Sequence, residues 1–160
     1  KYSDVSTTTP SKNVESQTIR FLDQSINSHQ ANCIDGSVLL ASVLQKIGIK
    51  SYLVLIPGHC FLAFDTVENS TALPLGLETT LLGKDDISDV KNKDLLPKKE
   101  FLKEYDDSRK TFLAALSSGI TKLQSCARKL QSGDDPLYAL ISIEEYRKKG
   151  IMPIPFAPEK

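Results

Sequence analysis

A chain of 160 residues that is 40% apolar and 25% charged can bury a core, and its 20 lysines and arginines balance its 20 aspartates and glutamates. That balance excludes a global field able to gather nucleic acid or an anionic lipid surface, so any partner has to be recognised at a local site. No run of about 18 apolar residues occurs, so no membrane span is expected. Three cysteines, Cys33, Cys60 and Cys126, are too few for a disulfide scaffold.

The pattern predicts one domain over 14–150, preceded by an extended arm at 1–13 and followed by a proline-rich tail at 151–160. In the arm, serine and threonine dominate and Pro10 forbids regular helix, leaving room for a short strand at 2–5. Val14, Ile19, Phe21, Leu22 and Ile26 fall mostly at helical spacings, which predicts an amphipathic helix over 14–28 laid on the core. The chain opens on Lys1 with neither a methionine nor a signal-like apolar run, the expectation for a processed product or a piece of a longer protein.

A second helix carries stronger local signals. Asn32 is a good N-cap, Asp35 stands three residues later as in a capping box, and Gly48 supplies the stop. Between them Val38, Leu39, Leu40, Ala41, Val43, Leu44 and Ile47 are too many apolar residues for a half-exposed helix, so a central, buried one is expected. Residues 52–56 form a β-favouring run, Pro57-Gly58 breaks it, and 60–65 resumes with Phe61 and Phe64, which predicts an antiparallel pair. After a polar loop at 66–71, residues 73–80 read as a third strand. Gly83 and Asp85-Asp86 end the sheet region, and 91–99 is a charged connector.

Phe101, Tyr105, Phe112, Leu116, Ile120, Leu123, Ala127 and Leu130 recur at spacings that predict one long packing helix over 101–131, or two broken near 117–119. A turn at 134–136, a strand at 137–143 and a short helix at 144–149 complete the expectation.

The chemistry concentrates at Cys33 and His59. A cysteine that opens a helix places its sulfur near unsatisfied backbone N–H groups, which favours the thiolate. His59 can accept the thiol proton, and a third, acceptor group would orient the ring. Asp65 is six residues farther along the same strand, about 20 Å away at roughly 3.3 Å per residue. An antiparallel third strand instead returns Glu78 beside His59, which makes Glu78 the better orienter.

Blander roles compete with that reading. Cys33 could be a small core residue, as expected for Cys60 and Cys126, and His59 could merely close a turn. His29, Cys33, His59 and Cys60 form a zinc-like inventory, but adjacent strand residues face opposite ways, so His59 and Cys60 do not easily share an ion. No metal or cofactor is expected. Asp35 reads as a helix stabiliser, His29 as a loop or surface residue, and Arg20 as a solvated helix residue or a partner for an acid or substrate.

Taken as an ordered set, Cys33-Ile-Asp35-Gly, an apolar helix ending Lys-Ile-Gly48-Ile, a strand, Pro57-Gly58-His59 and Leu77-Glu78-Thr79-Thr80 resemble the transglutaminase-like superfamily, which has the papain-like cysteine protease fold. The resemblance covers roughly 14–83. It implies an α+β fold in which a buried, cysteine-bearing helix packs on an antiparallel sheet with additional helices. It also implies a Cys33-His59-Glu78 triad, with Glu78 where the family has an aspartate and Thr79 where it has a proline.

The chain has no tryptophan to help hold an oxyanion, a role some family enzymes give that residue. Gln17, in Gln-Thr-Ile-Arg20, resembles a segment that precedes the nucleophile in bacterial relatives, which makes its amide an oxyanion candidate. Tyr2-Ser-Asp resembles an internal stretch of larger bacterial proteins, favouring a fragment. The implied activity is thiol-dependent acyl transfer on an amide or peptide bond of a protein or peptide substrate. Release by water would make a protease or amidase, and release by an amine a transglutaminase. The alternative is a non-catalytic domain of the same fold that binds a peptide or protein.

Overall fold

The computed structural model describes residues 7–11, 14–17, 19–67, 73–82 and 106–153, with backbone alone for 7–11, 14–17 and 106–107. The expected strand at 2–5, the connector at 91–99 and most of the tail lie outside the described residues.

The strongest local signal in the chain is a turn. Pro57 fixes its own φ and Gly58 takes φ +68°, a conformation glycine adopts at little cost. The turn joins β3 (Ser51–Ile56) to β4 (His59–Phe64), antiparallel in a register running from Ser51 opposite Phe64 to Ile56 opposite His59. β5 (Leu75–Leu77) adds to the other edge of β4, with Leu62 opposite Leu77. β6 (Ala139–Ser142) adds to the free edge of β3, giving a four-stranded antiparallel sheet in the order β5-β4-β3-β6.

The beginning of the chain departs from the expected helix over 14–28. β1 (Thr7–Ser11) and β2 (Val14–Gln17) make a separate antiparallel ribbon, and helix is confined to α1 (Leu22–Ser28). Phe21 is extended at ψ 155°, and its backbone N–H is taken by the Gln24 side chain at 3.0 Å, which starts the helix there. His29, at φ 54°, ends it after two turns. Nor does this helix lay an apolar face on the core. Ser25 is its buried residue, while Phe21 and Ile26 are exposed.

α2 (Cys33–Lys46) begins as its sequence dictates. The Asn32 carboxamide oxygen accepts from the N–H groups of Ile34 and Asp35 at 3.1 and 2.9 Å, and the Asp35 carboxylate accepts from the Asn32 N–H at 3.2 Å. The helix packs on β4 and β3 with Cys33, Ser37 and Ala41 buried on one face, while the buried Asp35 meets Arg20 on another. It is less enclosed than its apolar count predicts. Val43 and Ile47 sit on the outer face at 49% and 65% exposure, because the sheet covers one side only.

Residues 106–132 form one uninterrupted helix, α3 (Asp106–Ser132). Gly119, where a break was conceivable, serves a different purpose: it faces Gly76 of β5 so closely that a Cβ on either would overlap the other's backbone. The short helix α4 (Ile143–Lys148), capped by Ser142, closes the described part. Alternate β4 residues feed two apolar clusters. Leu62 joins Ala41, Leu77, Ala115 and Leu116, whereas Phe61 and Ala63 join Val54 and Cys126. The architecture is α+β, and no helix among the described residues is long and apolar enough to cross a membrane.

Candidate functional site

The capping box that starts α2 also fixes where its first side chain points. Cys33 is buried at 5% exposure, and its sulfur meets the His59 ring and the backbone N–H groups of Cys60 and Ile34. The hydrogen bond with His59 leads in holding the Cys33 thiol below its usual value of 9.0. Burial opposes it, and the two amides add to it. All three donors favour the thiolate.

His59 is the first residue of β4, delivered by the Pro57-Gly58 turn. Its Nε2–H donates to Glu78 Oε2 at 2.7 Å, leaving Nδ1 for the sulfur. The bond with Cys33, followed by that with Glu78, raises the His59 pKa from 6.5 to about 9, against burial and a nearby lysine. A raised imidazole beside a lowered thiol is the arrangement of a thiolate–imidazolium pair. The Phe61 ring lies along the His59 ring with centroids 6.2 Å apart.

Glu78 does not sit inside a strand. The strand expected over 73–80 stops at Leu77, and Glu78 caps a single 3-10 turn, Thr79–Leu81. Its Oε1 accepts from the Thr80 N–H at 3.1 Å and the Thr80 hydroxyl at 2.6 Å. Its Oε2 accepts from His59 and from Lys122 Nζ. Burial pushes this carboxyl up, but His59, Lys122 and Thr80 together overrule it and bring it from 4.5 down to about 2. The carboxylate is 1% exposed and fully engaged.

The residue after Glu78 ties this corner to the helix. The Cys33 carbonyl accepts from Ser37 Oγ at 2.7 Å and from Thr79 Oγ1 at 3.3 Å, and the two hydroxyls are 3.1 Å apart.

Asp65, the competing acid, is used elsewhere. It accepts from the Tyr52 hydroxyl at 3.1 Å, and burial, followed by that bond, pushes the phenol up to about 12. Gln17 is placed at the end of β2 in backbone only, so the oxyanion candidate's side chain lies outside the described residues. Arg20 precedes α1 and pairs with Asp35 through its backbone N–H at 2.9 Å and its Nη1 at 3.0 Å. His29 Nδ1 bonds the Ile26 carbonyl at 2.7 Å. Burial pushes the Cys60 thiol up to about 12. Among the described residues no three histidine, cysteine or acidic side chains converge as metal ligands.

Lys122 was not anticipated. It stands on α3, 44 residues from Glu78, in a stretch whose spacing suggests only packing. The signal was present: Ala115, Gly119, Lys122 and Cys126 share one face of α3, and the other three are buried. A lysine among small residues on the packed face of a helix needs a buried anion. Comparisons with family models, curated proteins and solved structures find no match to this chain.

Proposed function

We propose that the protein is a transglutaminase-like thiol acyltransferase acting on an amide or peptide bond of a protein or peptide, with Cys33 as nucleophile, His59 as acid and base, and Glu78 as orienting carboxylate. One observation carries the reading: the His59 ring bridges the Cys33 sulfur, at the start of a helix, and the buried Glu78 carboxylate. In this reading the thiol proton rests on His59, and the sulfur attacks the carbonyl carbon to form a C–S bond. The developing oxyanion would lie near the Cys33 N–H, since Asn32 takes the N–H groups of Ile34 and Asp35. His59 returns the proton to the departing amine as the C–N bond breaks, leaving a thioester. Water or an amine, deprotonated by His59, then attacks the thioester carbonyl and expels the Cys33 thiolate.

Alkylation of Cys33 by iodoacetamide across pH tests this. The expected result is a reaction well below the pH at which ordinary thiols respond, strongly slowed in His59→Ala. An ordinary thiol profile that His59→Ala leaves unchanged would overturn the reading. The second reading, a peptide- or protein-binding scaffold of the same fold, is favoured by the 5% exposure of Cys33, which limits approach to the sulfur. It predicts that Cys33→Ala retains binding to peptides that the wild type leaves uncleaved and unlinked.

A further inference from the structure

Glu78 offers four lone-pair directions, and Thr80 occupies both of those on Oε1. On Oε2, Lys122 Nζ joins His59 Nε2, and the two nitrogens are 3.3 Å apart. Both cannot carry a full positive charge at that spacing without repulsion, and both compete for one oxygen.

We propose that Lys122 is a positioning residue of the Cys33-His59-Glu78 site, which pins the carboxylate behind the imidazole and limits how tightly His59 keeps its proton. The role rests on the thiol–imidazole reading above. The groups that face the ring are Cys33 from α2, Glu78 from the 3-10 turn, Lys122 from α3, and Phe61 from its own strand. Of these, Cys33 and Glu78 both favour the imidazolium, and Lys122 is the group that opposes them by charge. Left with the first two alone, His59 would hold its proton too firmly to act as a base toward an incoming water or amine. A lysine sharing the orienting carboxylate returns the ring toward the range where it can both give and take a proton.

The chain has two histidines, so the ring resonance of His59 is assigned by comparison with a His29→Asn variant and its titration followed by NMR. In Lys122→Met the His59 midpoint is expected to rise by about one pH unit, and in Lys122→Arg to stay within a few tenths of wild type. If Lys122→Met does not fold, Lys122→Gln, which keeps a donor without the charge, carries the same expectation. A raised wild-type midpoint that these neutral variants leave in place or lower would overturn the role of Lys122 alone. A wild-type midpoint at the ordinary imidazole value, insensitive to Cys33→Ser, would overturn the thiol–imidazole reading and this role with it.

Discussion

Gly76 and Gly119 meet backbone to backbone: a Cβ built on Gly119 would stand 2.3 Å from the carbonyl carbon of Gly76. Two residues beyond Gly76 is Glu78, and three beyond Gly119 is Lys122, so this contact sets the approach of the acid to the lysine. The Glu78 N–H reinforces it by donating to the Ala115 carbonyl at 2.9 Å. Gly119→Ala gains about 1 kcal/mol of helix propensity but forces backbone against backbone. A net destabilisation of about 2 kcal/mol or more is expected in denaturant unfolding, whereas Ser118→Ala should be near neutral. A Gly119→Ala protein as stable as wild type would refute the contact.

Replacing Glu78 by glutamine removes the charge that supports the His59 proton. The His59 midpoint should fall, and each pH unit of fall corresponds to about a tenfold change in the proton-binding equilibrium. Alkylation of Cys33 near pH 6 should slow by about tenfold. Asp65→Asn, which touches Tyr52 rather than His59, should leave that rate within about twofold.

Acid stability follows from the same carboxylate. Glu78 is held at about 2 in the folded chain against 4.5 ordinarily, so its contribution is present above pH 4.5 and is lost as pH falls from there toward 2. The amount is on the order of 3 kcal/mol. His59 is raised and Cys33 lowered. Folding thus adds a proton to one and removes a proton from the other, and between pH 6.5 and 9 their effects on stability oppose each other. Unfolding free energy should fall steeply below pH 4.5 in wild type and much less in Glu78→Gln. Equal slopes would count against the buried ion cluster.

Asp35 is a buried carboxylate with three donors, from Asn32, the Arg20 backbone and the Arg20 guanidinium. Arg20→Ala strips the counter-charge and should cost about 3 kcal/mol, measured by chemical denaturation. Asn32→Ala removes only the cap and should cost about 1 kcal/mol.

Much of this arrangement was legible because it is written locally. The start of α2 is dictated by Asn32 and Asp35, and the β3–β4 hairpin by Pro57 and Gly58. Those two features fix the placement of Cys33 and His59, and antiparallel return of the chain brings Glu78 near. What escaped the sequence is tertiary. Helical spacing at 14–26 was misleading because Phe21 is extended and Gln24 caps it. The third strand is shorter than its residues suggest because Thr80 draws Glu78 into a turn. The face shared by Ala115, Gly119, Lys122 and Cys126 marks Lys122 as placed toward the core, but its partner lies on another element and is not written locally, and Gly119 resembles a break where it makes a contact.

The peptide bond between His59 and Cys60 gives the site one further property. The imidazole and the Cys60 amide reach the same sulfur from consecutive residues, so their spacing is covalent and does not depend on how well α2 and β4 are packed. A slip of the helix along that strand end would remove both donors from Cys33 together. The His59 and Cys60 contributions to the lowered Cys33 thiol should therefore vanish together under mechanical or thermal perturbation, leaving the Ile34 amide, which travels with the helix.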